Sequence, residues 1–270
     1  MTERADSRPN ILYIFTDQQS ASMMSCAGND TVETPAMDSL AAEGVRFERA
    51  NCTNPVCLPS RFSMMTGRMP SAIEVRSNDH RHVDEVPEAI RASSLGWHLR
   101  DAGYDVAYGG KVHLPKMTPE DVGFDVLTGD ERDGLVETCA TYIREPHDRP
   151  FFLVASFINP HDICYMAIRD FAQAETQRRI MDHADIELEA LDAALELPEG
   201  VSRETFFETH CPPLPDNFEP QPGEPEAIRK LQAQRPFKRS ARAEWSEERW
   251  RMHRWAYCRL TERVDAQIEI

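Results

Sequence analysis

Phe151-Phe152-Leu153-Val154-Ala155-Ser156-Phe157-Ile158 runs straight into Asn159-Pro160-His161-Asp162. A short apolar run without alternation, broken only by Ser156, describes a strand covered on both faces, as in a parallel sheet. Near the start of the chain, Asn10 to Thr16 repeats the pattern: Ile11-Leu12-Tyr13-Ile14-Phe15 is continuously apolar and gives way to Thr16-Asp17-Gln18-Gln19. Tyr104 to Tyr108 reads as a third strand, with Gly109-Gly110-Lys111-Val112-His113 expected just past its end. Helices fall between them. One starts at Thr34-Pro35, with Thr34 as N-cap, and stops at Gly44, after which Val45 to Phe47 is extended; others cover Ser93 to Ala102 and Leu135 to Arg144. Strands interleaved with helices predict an α/β fold, a mostly parallel sheet flanked by helices. In such sheets ligands bind at the strands' carboxyl edge. Asp17, Lys111 with His113, and His161 all arrive there.

The second half carries fewer signals. Asp170 to Leu197 reads as helical and acidic, a solvated face. Cys211 to Pro236 is dense in proline and is expected to lack regular structure. From Glu244 onward, Met252, Ala256, Leu260, Val264 and Ile268 recur every four residues, one face of a long helix. The sequence stops inside that helix without Gly, Pro or cap, an ending that reads as a cut.

Composition bounds the function. The 270 residues are 41% apolar, with 30 Lys+Arg against 46 Asp+Glu and a net charge of −16. The length suits one large domain or two small ones. The acid excess argues against nucleic acid and other polyanions while leaving room for a local pocket that binds one small anion. The N-terminus has no apolar signal core and no stretch is long and apolar enough to span a membrane, so no membrane partner is expected. Seven scattered cysteines, an odd number, fit free thiols in a reducing cytoplasm.

The most informative segment is Asn54-Pro55-Val56-Cys57-Leu58-Pro59-Ser60-Arg61, continuing to Met65-Thr66-Gly67. It sets a thiol four residues before an arginine, with Pro59 holding the intervening turn. In isolation such a pair is a buried thiol and a surface charge. Other motif readings are weaker. Gly110-Lys111 lacks the phosphate-loop pattern, since Asp105 stands where the first glycine belongs and Val112 replaces Ser/Thr. Cys52 and Cys57 with His80 and His82 lack zinc-site spacing. Trp245, Trp250, Trp255 and Tyr257 sit at helical spacing and suit amphipathic packing better than a stacking platform.

Cys57-Leu58-Pro59-Ser60-Arg61 followed by Thr66-Gly67 matches the signature C-x-P-S-R…T-G at every fixed position. On this string the chain resembles a type I sulfatase of the alkaline-phosphatase-like superfamily. Arg8-Pro9-Asn10-Ile11-Leu12 with Thr16-Asp17 is similar to that family's first strand and metal-binding acid, and Gly110-Lys111-Val112-His113 to its G-K-x-H element. Pro160-His161-Asp162 is similar to its later P-H segment; Thr34-Pro35, Leu40-Ala41 and Gly44-Val45-Arg46-Phe47 follow its course. The resemblance is dense from about Arg8 to Asp162, thin from Asp170 to Trp245, and returns at Thr261 to Ile268. It implies residues 8–270 as an incomplete N-terminal catalytic domain, with 170–243 a family-variable helical and Pro-rich insertion. No S-D-H-G-like segment, which would complete the metal site, is present.

The resemblance also implies a chemistry. A separate maturation enzyme would oxidise Cys57 to formylglycine. One hydroxyl of the hydrated aldehyde attacks sulfur, and the second drives collapse of the sulfated intermediate. A divalent metal, Ca²⁺ ahead of Mg²⁺ or Mn²⁺, would be held by Asp17, Gln18 and the Cys57-derived group. Gln18 stands where many relatives have a second acid. Arg61 and Lys111 would hold the anion, His113 would contact the diol, and His161 would serve as general acid toward the leaving oxygen. The implied partner is a small sulfated substrate. A phosphoester or phosphonate ester hydrolase on the same fold is the nearest rival, and a catalytically incomplete fragment that only binds is another. An incomplete site predicts weak metal binding, low turnover, exposed apolar sheet surface and self-association.

Overall fold

A computed structural model describes residues 8–79, 83, 85–233 and 235–270. His80 and His82 of the zinc-like pattern lie outside the described residues. In chain order the elements are β1 (Ile11–Asp17), α1 (Pro35–Glu43), α2 (Cys57–Thr66), α3 (Glu88–Arg91), α4 (Leu95–Asp101), β2 (Asp105–Gly110), β3 (Asp125–Thr128), α5 (Asp133–Arg144) and β4 (Phe151–Pro160). They continue with α6 (Cys164–Asp170), α7 (Glu175–Met181), α8 (Asp185–Leu195), α9 (Arg203–Thr209), α10 (Glu226–Ala233), α11 (Pro236–Glu244) and α12 (Glu247–Ile268). The described residues divide into two compact units: those within 8–19, 40–159 and 266–270 form the first, and those within 20–39 and 160–265 the second. No helix of the described residues is long and apolar enough to cross a membrane.

The first unit contains the sheet, in the order β1-β4-β2-β3, and β2 runs parallel to both β3 and β4. Asp105 pairs with Phe151 and Gly110 with Ser156. The ladder therefore sets the ends of β2 and β4 level, so that the residues after each emerge at one edge. All ten residues of β4 are buried, as expected of so apolar a run. β1 departs from expectation: it ends the sheet order, and Leu12 and Tyr13 are 44% and 37% exposed. The core joins Leu58, Phe62 and Met65 of α2 to Val106, Tyr108, Phe124, Phe152 and Val154. Fully burying apolar side chains of this size is worth about 1.5–3 kcal/mol each, which anchors α2 on the sheet.

Several boundaries moved. Gly109 and Gly110 close β2 instead of following it, because they pair with Ala155 and Ser156. Pro59 lies within the first turn of α2, where a missing N–H breaks no helical hydrogen bond. The short strand β3 carried no sequence signal strong enough to stand out.

In the second unit, Ile163, Met166, Ala190, Leu191 and Phe206 pack with Met252, Trp255, Ala256 and Leu260 of α12, the periodic face read from sequence. α10 forms inside the proline-dense stretch expected to be irregular, from Glu226 just after Pro225. Its prolines precede the helix instead of interrupting it. The α1 cap also differs. Thr34 bonds with Ser25, and the amides of Ala36 and Met37 instead donate to the Asp265 carboxylate at 3.0 and 2.9 Å.

Candidate active site

β1 delivers Asp17 at its carboxyl end, where the side chain is 5% exposed. The next residue, Gln18, is exposed and adopts a left-handed backbone with φ 66°, which turns the chain sharply away from the strand. Val56 is extended and Cys57 opens α2, so the thiol sits at a helix N-terminus. Cys57 and Arg61 are four residues apart and share one helix face. The helix closes at Gly67, whose left-handed backbone lets its amide donate to the Ser63 carbonyl.

These elements converge on Asp17. The Cys57 thiol donates to Asp17 Oδ1 at 3.2 Å, and Arg61 Nη2 to Oδ2 at 2.9 Å. Lys111 Nζ, just past β2, lies 2.9 Å from the same Oδ2. Arg61 and Lys111 are 4% and 6% exposed, so two cations and one carboxylate share a desolvated pocket. Coulomb attraction is strong in so dry a setting, and stranding either sign there is costly. The surplus cation makes a local basin for one small anion on an acidic chain.

A buried polar cradle holds the arginine. Arg61 Nη1 donates to Ser156 Oγ at 2.8 Å and to the Lys111 carbonyl, which also accepts from Tyr108 Oη and Ser156 Oγ. The Phe15 ring stacks on the guanidinium at 4.7 Å. Asn78 accepts the Leu58 amide at 3.0 Å, fixing the start of α2. Gly110 has φ 92°, and a Cβ there would lie 2.1 Å from the Ser156 carbonyl. Only glycine lets β2 approach β4 closely enough to turn Lys111 into the pocket.

Charge and burial set the thiol's state. Burial chiefly, and then the Asp17 charge, push the Cys57 thiol up, while Lys111 pulls the other way. Cys57 is therefore a protonated thiol near neutrality, unlike the activated thiolates of cysteine nucleophiles. Glu131 stands at the same edge, its carbonyl accepting the Ile158 amide at 3.2 Å. Burial raises its carboxyl, opposed by Lys111 and Arg61.

The residues expected at the site thus divide. Asp17, Cys57, Arg61 and Lys111 are in direct contact. Gln18 is adjacent in the chain. His113 is half-buried two residues beyond Lys111, with a left-handed φ of 47°. His161 opens a 3-10 turn, His161–Ile163, directly after β4 and belongs to the second unit, where its ring meets Tyr165 edge-on at 6.3 Å. Tyr108, Ser156, Phe15, Asn78 and Glu131 are additional. Ser156 alone had a signal, as the one polar residue in an apolar strand, since a buried hydroxyl needs partners.

A parallel α/β sheet thus carries a buried cation pair, a carboxylate and a helix-borne thiol at its carboxyl edge, a setting suited to binding one small anion. Residues 9–133 of the chain match the model of the family described as Sulfatase. Its relatives include the uncharacterized sulfatase YidJ of Escherichia coli, 37% identical over 40% of this chain and 20% of that protein. A Delta 4,5-hexuronate-2-O-sulfatase of Bacteroides thetaiotaomicron is 28% identical over 98% of this chain and 52% of its own length. Among solved structures, a 2-O GAG sulfatase shares the fold at TM-score 0.72 and 24% identity, covering 97% of this chain and 53% of that one. The chain therefore spans about half the length of the relatives that it matches from end to end.

Proposed function

We propose that this chain supplies the nucleophile and anion-binding part of a sulfuric ester hydrolase, with Cys57 as the residue matured to formylglycine. The observation that carries the reading is the contact of Cys57, Arg61 and Lys111 with one buried carboxylate, Asp17. The Cys57 sulfur stands where an oxygen of the hydrated aldehyde would be. A thiol held protonated is a weak nucleophile, which favours maturation over direct thiolate chemistry.

The hydrated formylglycine, once formed, supplies both the attacking oxygen and the means to expel sulfate. Arg61, locked by Ser156, Tyr108 and Phe15, presents a rigid fork to sulfate oxygens. Lys111 adds a point charge. Both are oriented before substrate arrives, so charge developing on those oxygens meets donors that need no reorganisation. Asp17 keeps the two cations compatible and orients the Cys57 position. His161, and His113 from the loop after β2, are the candidate proton carriers, toward the leaving alkoxide and the Cys57-derived group respectively.

Asp17, Gln18 and the matured Cys57 are hard oxygen donors of the kind that suits Ca²⁺. A bound divalent cation would act as a Lewis acid toward the sulfate. Because Asp17 already lies 2.9 Å from two cations, tight binding requires further anionic donors. The hexuronate and GAG sulfatases among the relatives suggest a carbohydrate sulfate ester as substrate.

Co-expression with a formylglycine-generating enzyme, followed by peptide mass spectrometry, tests the central assignment. We expect the cysteine-to-aldehyde mass loss at Cys57, then faster turnover of an aryl sulfate than of an aryl phosphate or phosphonate ester. An unmodified thiol in cells that modify a control sulfatase defeats the maturation claim. A preference for the phosphonate ester moves the activity to that substrate class.

A further inference from the structure

Residues 229–242 read Arg-Lys-Leu-Gln-Ala-Gln-Arg-Pro-Phe-Lys-Arg-Ser-Ala-Arg, six cations and no acid in a chain whose net charge is −16. Without them the remainder holds 24 Lys+Arg against 46 Asp+Glu, a charge of −22. The fold turns this concentration into a stripe. Lys238, Arg239 and Arg242 crowd one side of α11, with Lys238 and Arg242 at i and i+4, and Arg235 stands at the helix's N-cap. All four are exposed, whereas Phe237 and Ser240 are half-buried and Ala241 is buried. Arg229 and Lys230 of α10 are exposed as well.

Elsewhere in this unit five arginines pair with acids: Arg169 with Asp192, Arg179 with Glu175, Arg203 with Glu248, Arg249 with Asp170 and Arg259 with Glu262. Lys230 pairs with Glu226. Among the described residues, Arg235, Lys238, Arg239 and Arg242 have no carboxylate partner. Like charges at i,i+4 disfavour a helix by roughly 0.2–0.5 kcal/mol per pair. A face that needed only to be soluble would alternate signs, and this chain has acids in excess with which to do so.

We propose that the α11 stripe docks a polyanionic carbohydrate, a sulfated polysaccharide, a choice of ligand that rests on the sulfate-ester reading of the pocket. Net charge argued against any polyanion, but it describes the far field. At physiological salt the Debye length is about 8 Å, so a polymer lying along α11 feels mainly the cations within reach. The stripe runs from the N-cap residue Arg235 through Arg242 in the second turn of α11, roughly 10 Å, long enough to meet successive anionic groups of one strand of polymer. Guanidinium forks suit sulfate oxygens as they suit carboxylates and phosphates.

The test uses the full chain and fluorescent dextran sulfate, with unsulfated dextran and duplex DNA as comparison polymers, titrated at low and physiological salt. Binding to dextran sulfate should weaken with salt and fall at least about tenfold in K238E/R239E/R242E, with a shallower salt dependence. K238Q/R239Q/R242Q, which adds no new charge, should show the same direction and serves if the reversed variant fails to fold by circular dichroism. Unchanged binding in the folded variants, or no binding by the wild type, overturns the proposal. DNA bound as tightly as dextran sulfate also overturns it, by making the surface a nucleic-acid site. Aryl sulfate turnover by matured protein, assayed in parallel, should be equal in wild type and variants. Cys57 left unmatured in cells that modify a control sulfatase, with dextran sulfate still bound through the stripe, condemns the hydrolase reading and leaves the stripe standing.

Discussion

Cys57 shows how one side chain can carry two contrary signals. A helix N-terminus ordinarily stabilises a thiolate, whereas burial and the Asp17 charge raise the Cys57 thiol against the pull of Lys111. The sign is testable. Alkylation of Cys57 should follow a pH curve displaced above that of an ordinary thiol near ~8.5. Removing the positive charge with Lys111→Met should displace it further upward, since Lys111 favours the thiolate. Mass-resolved iodoacetamide kinetics check both; a Cys57 midpoint below about 8.5 would contradict the placement of Asp17 against the thiol. The same electrostatics explain why Ser156 and Tyr108 matter. With two buried cations facing one acid, the Lys111 carbonyl and its hydroxyl partners are the remaining dipoles that hold Arg61 in line.

Among the elements, α1 depends on a residue far from it in sequence. Its first turn exposes amides that Thr34 does not satisfy, and the carboxylate of Asp265, at 1% exposure in α12, accepts two of them. Asp265→Ala should lower stability by about 1–2 kcal/mol, the usual scale of a lost cap, or more because the amides are left without an acceptor away from water. Asp265→Asn, which keeps one acceptor oxygen, should lose less. Urea titrations of the two variants decide it, and equal stability of Asp265→Ala and wild type would mean that the cap contributes nothing. α10 carries the complementary lesson: a proline-dense stretch can still hold a helix when its prolines precede the first turn.

For the whole molecule, the telling disagreement is at β1. Its sequence is that of an interior strand, yet it ends the sheet order and exposes Leu12 and Tyr13. Leu12 and Ile14 also line an apolar cleft of about 150 Å³ with Val136, Cys139, Ile143 and Ile268. An apolar strand edge of this kind invites pairing with another chain. Sedimentation should accordingly show concentration-dependent self-association, and Leu12→Lys with Tyr13→Lys should shift the chain toward monomer without lowering its helix content. A monomer at all concentrations in the wild type would show that this edge is tolerated in water as it stands.

Local chemistry was legible because it is local. Apolar runs mark strands, four-residue spacing specifies the inner face of α12, and Cys57-Leu58-Pro59-Ser60-Arg61 carries its resemblance in a single string. These determined the fold class and brought Asp17, Cys57, Arg61 and Lys111 under consideration together. What only the tertiary structure decided depends on register and distance. The pairing of Gly110 with Ser156 recruits the Ser156 hydroxyl and the Tyr108 phenol to the site. Asp265 reaches α1 across more than two hundred residues, and Glu131 joins the edge through the backbone of β4. A hydroxyl, a phenol and a carboxylate have no periodicity to announce them. They acquire meaning only when folding removes water and leaves each with a partner to find.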